Sequence, residues 1–382
     1  MKIAFVSNIL NHHQYEFSEI IKKYCEYSFI STSNAESFGY QKSIEADYVI
    51  QWNEENKDLI DDIIRKADVA IFGSCPQELQ ELRMKENKLS FIYSERLFKR
   101  GIWRRFWPKT AKALKNKFTI NKDKNLYVLC ASAYLPYDLS LIKFPSQKCF
   151  KWGYFPSLKE YDNIDRLIDT KKHHSILWAG RFIKLKHPEK VIQLGRILKK
   201  EGYQFEIKMI GDGPLKPNIE KMINKYQLSD NIKIIGSLQP DAVRREMEAS
   251  EIYLFTSNEK EGWGAVVNEA MNSACSVVID HRVGSSPFLV DSGTNGLIYD
   301  GTVTDLHTCV TYLLNHPETR KKISKCAYEQ ISKLWNAKLG VERLLTLSSA
   351  LLEHRDPPEY EDGPCSKAIL YKPNQINLPM QI

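Results

Sequence analysis

The 382-residue chain has no apolar run long enough to cross a bilayer, no Cys-x-x-Cys pair, and not one acidic residue between Arg96 and Lys122. The first lack argues against a helical membrane span. The opening residues 1–6 are too short for a signal-peptide core and run straight into a polar segment, so they read as a first buried strand and the chain as cytoplasmic. The eight cysteines, Cys25, Cys75, Cys130, Cys149, Cys275, Cys309, Cys326 and Cys365, sit mostly in apolar segments. Without paired spacing they read as buried reduced thiols, not as a disulfide or metal framework.

The third lack concerns charge. Ten basic residues fall between Arg96 and Lys122 while the whole chain carries a formal net of +7, so the remainder is net acidic and the basic character is local. Phe98, Ile102, Trp103, Phe106 and Trp107 are interleaved with the cations. Such a mixture suits an anionic bilayer surface, where each basic residue contributes about 1 kcal/mol. It also fits a solvated helix with core-facing aromatics, or binding to nucleic acid through phosphates and stacking. The membrane-surface candidates are Lys99, Arg100, Trp103, Arg104, Arg105 and Trp107.

What is present is a globular composition, 43% hydrophobic and 26% charged, in a chain long enough for two domains with separate cores. Short apolar runs alternate with segments of helical period, the sign of βα units and parallel sheets. Residues 3–6, 69–72, 90–93, 127–130 and 149–152 are predicted strands of a first series, and 175–178, 205–210, 232–235, 252–255 and 277–279 of a second. The fold class is α/β: two Rossmann-like domains of mainly parallel sheet, expected to face one another across a cleft. The polar, proline-containing segment 154–162 and the charged stretch to Lys172 are the linker candidate. The expected divisions are 1–155, 156–340, and a C-terminal helix and irregular tail over 341–382 returning to the first domain.

Glu261-Gly262-Trp263-Gly264-Ala265-Val266-Val267-Asn268-Glu269 follows the apolar run 252–255. A strand ending in a glycine-rich turn that opens a helix aims free N–H groups at its surroundings, so an anion is the expected ligand. Gly262 and Gly264 allow close backbone approach. Glu261 before the helix and Glu269 about two turns inside it would flank a phosphate and take hydroxyls on either side. Hydroxyls around a phosphate suggest a nucleotide sugar.

Residues 261–271 resemble the two-glutamate motif of the family-four retaining glycosyltransferases, which have the GT-B architecture. Ala179-Gly180-Arg181, Ile210-Gly211-Asp212-Gly213-Pro214, Ile234-Ile235-Gly236-Ser237 and Gly293-Thr294-Asn295-Gly296-Leu297 follow the family's order and approximate spacing. The resemblance is strong over residues 175–350. It implies that Arg181 and Lys186 stabilise the departing nucleoside diphosphate, that Glu261 bonds donor-sugar hydroxyls, and that Glu269 holds the ribose. Arg181, Lys186 and Glu261 are the catalytic candidates; Gly211, Gly236, Leu238, Gly262, Trp263, Gly264, Ala265 and Glu269 are the donor-binding ones. Two cations and helix-end dipoles suffice to offset charge growing on a leaving phosphate, and no Asp-x-Asp motif stands where a metal would need it. No metal or cofactor is therefore expected beyond a nucleotide-sugar co-substrate, UDP being the family's commonest nucleotide.

Three departures from the family pattern stand out. Ala274-Cys275-Ser276 replaces a usual glycine and proline, Phe288 stands where an acidic residue is common, and the first-domain loops differ. Those loops supply the acceptor-side candidates His12, His13, Gln14, Glu95 and Arg96, able to orient an acceptor hydroxyl or support developing positive charge. The expected function is transfer of a hexose-type sugar to a lipid-linked glycan of the cell surface, at an anionic membrane and without nucleic acid. The rivals are a nucleotide-sugar epimerase of the same fold and a noncatalytic nucleotide-sugar-binding subunit.

Overall fold

The apolar runs pair side by side as parallel strands in two separate sheets, in a computed structural model that describes residues 1–34 and 44–373. In chain order the first sheet holds β1 (Lys2–Ser7), β2 (Glu26–Ser31), β3 (Val49–Gln51), β4 (Val69–Phe72), β5 (Ser90–Ser94), β6 (Leu126–Cys130) and β7 (Cys149–Lys151). The second holds β8 (Lys172–Ala179), β9 (Glu206–Ile210), β10 (Ile232–Gly236), β11 (Ser250–Phe255), β12 (Ser276–Asp280) and β13 (Leu297–Tyr299). Helices between the strands cover both faces, so the central strands are apolar throughout. Val6, Phe72, Ile92 and Val128 are buried in one sheet, as are Leu177, Leu254 and Val278 in the other.

Strand order is β3-β2-β1-β4-β5-β6-β7 in the first sheet and β10-β9-β8-β11-β12-β13 in the second. Each sheet is doubly wound: the chain builds outward one way from its first strand, then returns to that strand's other side. The reversals fall between β1 and β4, where Val6 pairs with Phe72, and between β8 and β11, where Leu177 pairs with Tyr253. Beyond the carboxyl ends of such strand pairs, diverging loops leave a crevice, and ligands of open α/β sheets bind there.

The chain divides into two compact units, one of residues 1–157 with 335–372 and the other built on 158–334. The chain rejoins the first unit at Trp335. Helix Ala337–Leu352 is uninterrupted and buries Val341, Leu344, Leu347 and Leu351, so the expected division at 340 would cut it. It packs on helix His12–Ile21. Residues 353–373 form no helix or strand but hold the sheet edge. Lys151 N donates to Ser366 O (2.8 Å), Ala368 N to Cys149 O (3.1 Å), and Lys367 bridges Phe150 antiparallel. The exposed edge of β7 is thereby covered, which removes a template for aggregation. Residues 374–382 of the predicted irregular tail lie outside the described residues. The eight cysteines are all free.

Candidate functional site

At the switch point of the second sheet, the loop after β8 carries Arg181 and Lys186, and the loop after β11 carries Glu261. Lys186 Nζ donates to Glu261 Oε2 in an ion pair whose side chains are 15% and 18% exposed. The ammonium also lies 5.1 Å from the centre of the Phe255 ring. Buried Thr256 fixes this geometry: its hydroxyl accepts from Trp178 Nε1 (2.9 Å) and donates to Lys186 O (2.6 Å). Asn258 adds a second tie, its N–H donating to Leu185 O (3.1 Å) and its amide meeting His187 Nε2 (2.8 Å). Arg181 is exposed and has no ion pair among the described residues. The structure thus joins Lys186 to Glu261 and leaves Arg181 open to an anion.

The glycine turn differs from expectation in two ways. Its helix spans Val266–Asn272, so Glu269 sits in the first turn, not two turns in. Burial raises the Glu269 carboxyl above its ordinary range, against the pull of Arg244. Trp263 is fully buried; its Nε1 donates to Asn268 Oδ1 (2.8 Å), and its ring packs 6.3 Å from Phe288. The indole is therefore a core group, and a ligand at this turn would meet backbone from Gly262 to Ala265. The same packing accounts for Phe288: an apolar partner for Trp263 replaces the acidic residue. Gly264 adopts φ +83°, and a Cβ there would lie 2.6 Å from the Phe255 ring. Ala274, standing for a usual glycine, keeps a left-handed φ of 51° and carries the strain.

Gly211 and Gly236 hold neighbouring loops together. Gly180 N donates to Ile210 O (2.9 Å) and Gly211 N to Gly236 O (2.8 Å). A Cβ on Gly211, at φ +130°, would fall 2.0 Å from Gly180 O. Leu238 is half-buried in the loop that follows.

At the switch point of the first sheet lies a pocket of about 400 Å³. The loop after β1 supplies Asn8 and Asn11, the loop after β4 Ser74, and the end of β5 Tyr93, Glu95 and Arg96. Gln14, Tyr154, Lys99 and Lys117 complete the lining. Gln14, Glu95 and Arg96 thus come together. His12 and His13 stand beside them on the first turn of helix His12–Ile21, whose cap is the Asn11 side chain accepting from His13 N (3.0 Å). His13 stacks on Tyr154 at 5.7 Å, and burial, then the His12 charge, pushes its imidazole down to about 3, so it is neutral at physiological pH. Tyr154 OH donates to Glu95 Oε1 (2.6 Å), and Lys99 pairs with the other carboxylate oxygen. Arg96 Nε lies 3.4 Å from buried Asp138, which accepts from the N–H groups of Leu97 and Phe98.

The basic stretch continues from this pocket as a short 3-10 helix, Ile102–Phe106, and helix Pro108–Lys117. Trp103, Phe106 and Trp107 are 55%, 71% and 47% exposed, so they are not core-facing. Arg104 covers the Trp107 ring and Arg105 the Phe106 ring, each at 4.6 Å. No helix among the described residues is long and apolar enough to cross a membrane. No group of three or more His, Cys, Asp or Glu among them is placed to hold a metal ion.

Residues 162–330 match the family model described as glycosyl transferases group 1. This part of the chain is a glycosyl transferases group 1 domain. The chain is 25% identical over 194 residues to the alpha-D-kanosaminyltransferase of Streptomyces kanamyceticus, covering 48% of this chain and 50% of the relative. It is 24% identical over 190 residues to the amylovoran biosynthesis glycosyltransferase AmsD of Erwinia amylovora, covering 47% and 51%. The chain thus spans about half the length of these relatives. The fold extends further: the crystal structure of Anabaena Alr3699/HepE in complex with UDP matches with TM-score 0.68 and 14% identity over 91% of this chain and all of that one. Both sheets thus belong to the GT-B architecture.

Within this glycosyl transferases group 1 domain, sequence reasoning passed over Thr256, Asn258 and Arg244. Thr256 carried one usable signal, a hydroxyl directly after an apolar strand. Arg244 donates to Glu269 O (3.2 Å) and Asn272 Oδ1 (2.8 Å) from a helix with no motif of its own. Tyr154, in the segment expected as a linker, lines the pocket of the first unit.

Proposed function

We propose that the chain is a retaining glycosyltransferase that moves a hexose-type sugar from UDP to a hydroxyl of a lipid-linked glycan in cell-surface polysaccharide synthesis. The observation that carries this reading is the Lys186–Glu261 pair at the switch point of a group 1 domain. Lys186 and exposed Arg181 take the diphosphate, Glu261 takes sugar hydroxyls, and Glu269 takes the ribose. The bond from the anomeric carbon to the phosphate oxygen breaks as the acceptor oxygen adds on the same face, and the acceptor proton passes to the leaving phosphate. Charge on that phosphate is met by the two cations, so no metal or other cofactor is invoked. UDP is favoured because the Anabaena structure of the same fold was determined with it, and the surface-glycan role by the amylovoran name of AmsD. The chain would work at the cytoplasmic face of the cell membrane, resting on anionic lipid through Lys99, Arg100, Trp103, Arg104, Arg105 and Trp107, and binding no nucleic acid.

The test is thermal shift and product analysis with UDP, GDP and ADP sugars. UDP sugars should stabilise the wild type, and Arg181→Ala and Glu269→Ala should remove the effect. Preference for another base would overturn the donor assignment. Release of an altered sugar nucleotide without acceptor would mark an epimerase, and an unchanged glycan yield with Glu261→Ala a noncatalytic subunit.

A further inference from the structure

The pocket at the first sheet's switch point is charged in a way that a neutral sugar does not use. Three cations line it, Arg96, Lys99 and Lys117; Arg96 lies 3.4 Å from buried Asp138 and Lys99 pairs with Glu95, so among the described residues Lys117 is the cation left without a counter-charge. Glu95 is already committed at both oxygens, to Lys99 and to Tyr154. Lys117 is half-buried and has neither an ion pair nor a hydrogen bond to its ammonium among the described residues; burial lowers its pKa. A desolvated cation without a counter-charge is costly, and an arriving anion removes that cost. Two neutral polar side chains lining the same pocket also want partners. Gln14 is 7% exposed and Tyr93 9%, yet Gln14 Oε1 and Tyr93 OH have no hydrogen bond. Buried polar atoms are almost always satisfied, so such a pair in a pocket wall points to hydroxyls brought by a ligand. The volume, about 400 Å³, lies in the range of small-molecule sites, roughly 300–1,000 Å³.

We infer that this pocket binds the phosphorylated sugar or polyol unit of the acceptor, with Gln14 and Tyr93 taking ring hydroxyls and Lys117, with Arg96 and Lys99, taking the phosphoryl group. The inference rests on the reading that the first unit serves the acceptor. Lys117 ends helix Pro108–Lys117, whose other end adjoins exposed Trp107. Ten residues of helix span about 15 Å, so a phosphate on Lys117 would lie within a short reach of the aromatic and basic patch. A phosphate joined to a lipid could then bridge pocket and membrane, whereas a soluble sugar phosphate would use the pocket alone.

Calorimetric titration of the full chain tests this with glucose, inorganic phosphate, glucose 1-phosphate, and a polyprenyl-pyrophosphate-linked glucose in detergent micelles. At least one of the two phosphorylated sugars should bind 10-fold or more tightly than glucose or inorganic phosphate. Binding of the micellar probe alone assigns the phosphate to a lipid; binding of both assigns it to either source. Lys117→Gln and Gln14→Ala should each weaken that binding about 10-fold, and Lys117→Arg should largely restore it, while UDP binding stays unchanged in all three. Equal binding of glucose and both phosphorylated sugars, or no loss with Lys117→Gln, overturns the inference. If UDP binds and neither phosphorylated sugar does, the inference falls while the donor reading stands. If UDP itself fails to bind, it is the donor reading that falls.

Discussion

Lys186 and Glu261, 75 residues apart in the chain, form an ion pair between the loops that leave adjacent strands β8 and β11. The pair brings a cation suited to a diphosphate against a carboxylate suited to sugar hydroxyls. Both side chains are less than one-fifth exposed, so each lowers the cost of desolvating the other before any ligand arrives. A diphosphate entering beside Arg181 would compete with Glu261 for the ammonium and release the carboxylate toward the sugar. Ligand binding and positioning of Glu261 are then one event.

If so, the two substitutions should not act independently. Lys186→Met should weaken UDP binding 10-fold or more, whereas Glu261→Gln should leave UDP binding within a few-fold and lower turnover with the intact sugar nucleotide by orders of magnitude. For residues in contact, coupling energies of about 0.5–3 kcal/mol are usual. A double-mutant cycle on UDP-sugar affinity checks this, and additivity within error would remove the coupling from the account.

The central strands were legible because parallel strands buried on both faces must be apolar along their length, as residues 69–72 and 127–130 are. β2 is hidden because Glu26 and Ser28 break its run, and β3 and β13 because three residues give no period, whereas the equally short β7 is extended by apolar Trp152. Within the site, Glu261 is legible from the glycine-rich turn, and its role and that of Lys186 from resemblance; their pairing follows from strand order, which no local pattern encodes. The same limit hid Tyr154: its neighbouring proline marks a turn, while its contact with Glu95 depends on where β5 ends. The exposure of Trp103, Phe106 and Trp107 was equally undecidable from spacing, since aromatics among cations suit either a core face or a surface.

Gly211 offers a sharper test of how the donor loops are held. A methyl group there meets Gly180 O at 2.0 Å, and φ +130° is unfavourable for any L side chain. Gly211→Ala should destabilise the chain by about 2–4 kcal/mol through strain and lost loop contacts. Gly202→Ala is the control: it has a positive φ of 82° but nothing within 4 Å of the added carbon. Chemical denaturation should rank Gly211→Ala well below Gly202→Ala, and equal losses would show that the close approach to Gly180 does not matter.

The aromatic patch predicts salt-sensitive membrane binding. Trp103, Phe106 and Trp107 are exposed beside Arg104 and Arg105, so replacing Trp103 and Trp107 by Ala should change stability little. Co-sedimentation with vesicles containing anionic lipid should fall about 10-fold or more, and Arg104→Glu with Arg105→Glu should do the same while removing the salt dependence. Undiminished sedimentation of both variants would sink the membrane assignment.

Asp138 predicts a pH dependence of stability. Its carboxyl is fully buried, and burial pushes it up to about 6 against the opposing pull of Arg96 and the N–H groups of Phe98 and Leu97. In the unfolded chain it returns to about 3.8, so the folded state holds its proton more tightly. A raised carboxyl pKa means that the stabilising contribution is fully present below the unfolded value and is lost as pH rises through about 6. Between pH 5 and pH 7.5 the loss is roughly 1 kcal/mol. Asp138→Asn cannot titrate, so the stability difference between wild type and variant should shift toward the variant by that amount over this range. Denaturant titrations at the two pH values measure it directly. A shift of the opposite sign would mean that the Arg96 pairing outweighs burial, and that the turn carrying Arg96 into the pocket is held by a carboxylate charged throughout.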